Sequence, residues 1–134
     1  MEVWGGSTKI ATLKQFVEAE VERLLDEKNI TGRKKRQIHD GRQFLKMLTE
    51  EPYSKVTKIS SLKKLISQRR KRIKNIIEDM DKVLPGYQLS FFETATNLSE
   101  TETLIIEGER VNLNAELKWL HKCLGICHNK DYFK

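Results

Sequence analysis

Proline is nearly missing from this 134-residue sequence, which holds only Pro52 and Pro85. Proline interrupts helices, so its scarcity leaves long stretches free to be helical. Cysteine is as rare: two residues, Cys123 and Cys127, cannot frame a disulfide-stapled scaffold. The opening MEVWGGSTKIA has no basic stretch followed by an apolar one, so no secretion leader is expected and the setting is read as cytoplasmic and reducing, with free thiols. The sequons Asn29-Ile30-Thr31 and Asn97-Leu98-Ser99 are then read as coincidental. No run of 18 apolar residues occurs, which argues against a membrane-spanning helix and a membrane partner. There is no G-x-S-x-G, Walker loop, H-E-x-x-H or dinucleotide glycine fingerprint. Cys127 and His128 are adjacent, a spacing that rarely presents both side chains for nucleophilic chemistry. The sequence therefore points away from an enzyme and implies no cofactor.

What is abundant is charge. Charged residues make up 33% and apolar residues 38% of the chain, with a net charge of +6. The excess is not spread evenly. Residues 30–76 carry 15 basic and 3 acidic groups, a net of +12, whereas residues 1–29 sum to −2 and residues 77–134 to −4. A central third so strongly basic points to a polyanion or an acidic surface as partner.

Helical periodicity dominates the first two-thirds. Ile10, Leu13, Phe16, Val17, Val21, Leu24 and Leu25 trace one face of a first helix over Thr8 to Lys28, with Ser7 as its cap and Glu18, Glu22 and Asp26 on another face. Asn29 to Gly32 is a turn that offers Thr31 as the next cap. A second helix over about Arg33 to Thr49 turns Ile38, Gly41, Phe44, Leu45 and Leu48 inward, the glycine permitting close helix approach. The longest pattern is a third helix within Lys55 to Leu84, with Leu62, Leu65, Ile66, Ile73, Ile76, Ile77, Met80 and Leu84 apolar, Ser60 or Ser61 as cap and Pro85-Gly86 as stop.

Beyond Pro85 the character changes. Tyr87, Leu89, Phe91 and the run Thr103 to Val111 are rich in aromatic and β-branched residues, and a small hairpin bending near Gly108 is expected there. The competing reading is a helix capped by Ser99, with Glu102 completing a capping box. A final helix from about Asn112 or Asn114 carries Leu113, Leu117, Leu120, Cys123 and Leu124 and stops near Gly125, and Tyr132 and Phe133 form a docked tail. The expected architecture is mainly α: a single-domain bundle of about four helices with a small β-hairpin between the third and fourth. Residues 1–84 form a three-helix basic part, and residues 85–134 the β element and last helix.

Candidate site residues follow from charge and spacing. Lys35, Arg42 and Lys46 fall at i, i+7, i+11 along one edge of the second helix, with Arg36 in its first turn. Lys63, Lys64, Arg70, Lys71 and Lys74 fan over the outer side of the third. Cations packed at the start of the second helix oppose its dipole, and an anion there would offset them. If the two helices lie side by side these residues form one phosphate-binding field, DNA or RNA, that positions a backbone rather than reads bases. Arg69 points along the apolar face of the third helix, where a charge needs a partner. A carboxylate of the first helix, solvent reached by snorkelling, or a second chain in a homodimer would each serve. His121, Cys123, Cys127 and His128 supply four metal-ligand types, but without finger spacing and with His121 pointing away from Cys123, so buried structural cysteines are the preferred reading.

The run from Thr12-Leu13-Lys14-Gln15-Phe16-Val17 through Thr31-Gly32-Arg33 to Phe44-Leu45-Lys46-Met47-Leu48 and Val56-Thr57-Lys58-Ile59 resembles the helical core-binding domain of tyrosine recombinases. The resemblance covers about the first half of the chain and rests on hydrophobic spacing. It implies a domain that grips DNA without performing chemistry. The function expected from the sequence is a small regulatory or accessory nucleic-acid-binding protein. The alternatives are a helical adaptor or inhibitor docking on an acidic protein surface, and a homodimeric structural subunit.

Overall fold

The computed structural model describes residues 3–83 and 99–134. Within them lie four α-helices, α1 (Ile10–Leu25), α2 (Gly32–Met47), α3 (Ile59–Val83) and α4 (Glu100–His128), and one 3₁₀ turn at Tyr53–Lys55. The expected stop at Pro85-Gly86 and the aromatic cluster Tyr87, Leu89 and Phe91 lie outside the described residues. The described residues form two compact units, one of Met1–Ile66 with Lys122–Lys134 and the other of Ser67–His121.

The expected hairpin is not formed: among the described residues there is no strand, and residues 103–111 are helical from end to end. The capping box wins. Ser99 Oγ accepts the Glu102 amide at 3.1 Å and donates to the Glu102 carboxylate at 3.1 Å, while Ser99 O takes the Thr103 amide at 3.0 Å. The Glu102 amide, one of the unpaired donors of the first turn, is thus satisfied by the Ser99 side chain. Gly108 is an interior helix residue rather than a bend.

The first helix starts without the expected Ser7 cap; Lys9 stands at the N-cap and makes no side-chain capping bond. Its first turn is instead tied to that of α3. Ile10 donates its amide to Thr57 O at 2.8 Å and Ile59 donates to Thr8 O at 2.9 Å, around the isolated bridge Lys9↔Lys58. Each helix start therefore satisfies the other's unpaired backbone, and α3 begins at Ile59, ahead of both serines. α2 has the expected side-chain cap, Thr31 Oγ1 accepting from the Lys34 amide at 3.3 Å.

The core of the first unit gathers Leu13, Val17 and Leu24 of α1, Phe44 of α2, Ile59, Leu62 and Ile66 of α3, Ile126 of α4 and Phe133 of the tail, each essentially removed from solvent. Gly41 sets the spacing. A Cβ built there would lie 2.5 Å from Val21 Cγ2, 3.4 Å from Phe133 Cε1 and 3.6 Å from Val17 Cγ1. The N-terminal arm is pinned to the tail. Trp4 donates its amide to His128 O at 3.0 Å, packs edge-on against Phe16 at 5.2 Å, and lies under Lys130 Nζ at 4.8 Å.

The second unit, as described, is an antiparallel pair made of residues 67–83 of α3 and 100–121 of α4. Two ion pairs fix its register, Arg69 with Glu116 at 2.7 Å and Arg110 with Asp81 at 2.8 Å. Arg69, Ile73, Ile76 and Met80 on one helix, and Ile106, Arg110, Leu113, Leu117 and Leu120 on the other, alternate by three and four residues, the spacing of a helix–helix seam. Only Ile73 and Leu120 are fully buried in it.

The two helical glycines should respond to alanine in opposite directions. Gly41→Ala forces a methyl group onto the buried Val21, and overpacking of about 1–3 kcal/mol outweighs the gain in helix propensity. Gly108 has nothing within 4 Å of its built Cβ, so Gly108→Ala should stabilise α4 by up to about 1 kcal/mol. Urea denaturation of dilute protein reads both, and a stabilised Gly41→Ala would contradict the close approach.

Candidate nucleic-acid interface

The cations of the central third separate into two groups by what they touch. Half of the RKKR run at the start of α2 is used internally. Arg33 Nη2 donates to Lys134 O at 2.9 Å. Lys34 pairs with Glu27, whose carboxyl it holds below the ordinary value. A carboxylate and a carbonyl therefore fill the role expected of a bound anion. Arg23, between Glu20 and Glu27, also donates to Phe133 O at 2.9 Å, and Gln37 donates to Tyr132 O at 3.3 Å. These groups line a cavity of about 200 Å³ beside Phe133, and they serve to hold the tail.

The rest of α2's cations face solvent. Lys35, Arg36, Arg42 and Lys46 are exposed, and none of their side chains is paired among the described residues. His39, which charge counting passed over, is exposed in the same row, completing Lys35, His39, Arg42 and Lys46 at i, i+4, i+7, i+11. The row runs over about 16 Å of helix.

On α3 the predicted residues are not equivalent. In the first unit Lys64 is exposed, while Lys63 is half-buried with its Nζ 3.4 Å from His128 Nδ1. In the second unit Lys71 and Lys74 are exposed, but Arg70 is half-buried and its Nε has no hydrogen-bond partner among the described residues. Arg72, left out of the predicted set, is exposed. The condition that α2 and α3 lie side by side finds no hydrogen bond or ion pair between them among the described residues. Both helices reach α4 instead: α2 through Lys122–Asp40 at 3.4 Å and Cys123 Sγ–Met47 Sδ at 3.8 Å, α3 through Lys63–His128.

Arg69 reaches a carboxylate of α4 and stays partly open to solvent. It makes two bonds to Glu116 of α4, from Nε at 2.7 Å and Nη2 at 3.0 Å. Both partners keep roughly a third of their side-chain surface exposed (37% and 35%), so the pair is screened and contributes on the order of 1 kcal/mol at most. An intrachain carboxylate thus takes up the arginine that a homodimer seam was also expected to use.

Cys123 and Cys127 are buried, whereas His121 and His128 are exposed. Among the described residues no group of three or more metal-ligating side chains converges. Burial raises both thiols, Cys127 to about 12 and Cys123 further, helped by the neighbouring Cys127 and Asp40. Tyr132 is raised by burial and by Asp40, to whose carboxylate it donates at 3.3 Å. No helix of the described residues is long and apolar enough to cross a membrane.

Comparison with known proteins adds no relative: no family model matches the sequence, no curated protein is significantly similar, and no solved structure matches the fold. The resemblance to the recombinase domain gains no support there.

The raised thiols and phenol fix the sign of an alkaline response. They stay protonated in the folded chain where the unfolded chain has released its protons, so stability is intact below about pH 8.5 and falls as pH climbs toward 12. The unfolding midpoint should drop through this window, and Cys127→Ala should make the decline shallower. A midpoint that stays flat from pH 8 to 11 would contradict the burial of these groups.

Proposed function

We propose that this protein binds nucleic acid, contacting phosphates through the solvent-facing cations of α2 and α3. One observation carries the reading: Lys35, Arg42 and Lys46 stand in a single exposed row with no carboxylate partner among the described residues. Arg23, Lys34, Arg69, Arg110 and Lys122 all have such a partner. Cations on a rigid helix at this spacing suit a line of phosphates, whose bound counterions they would release. Lys71 and Lys74, with Arg72, supply a second exposed basic stretch in the other unit. Both sets offer charge and reach rather than base-edge recognition, so the expected binding is insensitive to sequence.

Fluorescence anisotropy with labelled duplex DNA, single-stranded DNA and RNA at two salt concentrations tests this. Binding should be about micromolar or tighter at low salt and weaken steeply as salt rises. Lys35→Ala with Arg42→Ala and Lys46→Ala should flatten the salt dependence by up to about 0.9 logarithmic units per lost phosphate contact. The set Arg70→Ala, Lys71→Ala and Lys74→Ala probes the second unit separately. No binding of any probe at low salt would sink the proposal and redirect the search to an acidic protein partner.

A further inference from the structure

α4 carries two apolar lines. Ile106, Leu113, Leu117 and Leu120 face α3, but Leu104, Gly108, Val111 and Ala115 follow a second line at i, i+4, i+7, i+11, on the opposite side of the helix. Leu104 is 68% and Val111 67% exposed, and Ile105 beside them is 56% exposed. A helix that is apolar on both sides is ordinarily covered on both. Among the described residues the outer line of α4 is left open to solvent.

We propose that this outer line of α4 is the contact surface for a second copy of the same chain, packed antiparallel across a twofold axis. Two features of the unit select that occupant. The first is charge. Residues 67–76 with 110–121 carry 7 basic and 1 acidic groups, whereas residues 77–83 with 100–109 carry 1 basic and 7 acidic. The unit is thus a dipole with a net of +6 at one end and −6 at the other, and antiparallel pairing sets each end against its opposite. The change of sign on α4 falls between Glu109 and Arg110, at the middle of the apolar line. The second feature is shape. An axis at that midpoint sets Leu104 against the other copy's Ala115, and Gly108 against its Val111. Each large side chain then meets a small one, which lets the helices approach closely. Among the described residues nothing lies within 4 Å of the Cβ position of Gly108, and the second copy occupies that space. Lys118 comes opposite the first turn of the facing α4, which holds Glu100 and Glu102.

Sedimentation velocity from about 1 to 200 μM tests the proposal. The chain should shift from monomer toward dimer with concentration, more readily at low salt. Leu104→Lys with Val111→Lys places charges on positions already open to water, so helicity by circular dichroism should persist. The dimer dissociation constant should rise by at least about 100-fold. Cysteine cross-linking reads the geometry independently. Leu104→Cys combined with Ala115→Cys should give a disulfide-linked dimer. Leu104→Cys alone should not, because the two copies of residue 104 are offset by about 16 Å along the axis. The native thiols, buried and protonated, do not compete. A wild-type chain that stays monomeric throughout, a dimer that survives the lysine pair, or efficient cross-linking through Leu104→Cys alone would each overturn the proposal.

Discussion

The missing side chain at Gly41 is the constraint on which the first unit depends. Because α2 presents only a backbone there, Val17 and Val21 of α1 come into direct contact with it and Phe133 fits alongside. Once Phe133 is seated, the carbonyls of residues 132–134 are fixed in front of Gln37, Arg23 and Arg33. Those side chains are then committed to holding the tail. Packing thereby decides electrostatics: cations on the seam side of α2 are consumed, and those on its far side keep their charge free for something outside the chain. The buried carboxylate of Asp40 follows the same logic, since Tyr132 of the seated tail and Lys122 supply its donors.

Much of this was legible in the sequence. Three of the four helices, the C-terminal half of the fourth, the inward Gly41, the Thr31 cap and the docked tail all follow from apolar periodicity and local chemistry, whose signals lie within a few residues. What was not legible depended on non-local pairing. The helix starts at Ile10 and Ile59 are closed by each other's backbone, which no capping rule for one segment can foresee. Arg69 was recognisable as a charge in an apolar seam, but its partner Glu116 lies 47 residues away, on a segment read as helix without an assigned partner face. The basic row was visible as spacing; which of its neighbours would be spent on carbonyls was not.

The missed first half of α4 has a more specific cause, and it links the two halves of the functional argument. With apolar lines on opposite sides, residues 103–111 have no single amphipathic face, and Leu104-Ile105-Ile106 reads like the core of a strand. Propensity favours strand there, but the Ser99–Glu102 cap and the register fixed by Arg110–Asp81 hold the segment to α4. The feature that obscured this part of the helix is therefore the one that leaves it under-covered among the described residues. A phosphate-binding surface gains most from exactly such a joint. Cations that are individually worth little in salt add their contacts when two copies are held together, because the second engagement becomes intramolecular. Pairing through α4 uses apolar surface and complementary charge, and leaves the row on α2 untouched. The apolar line that would assemble the protein and the α2 row that would bind its ligand draw on different residues, whereas Lys71, Arg72 and Lys74 count toward both the dipole of the pair and the second basic stretch.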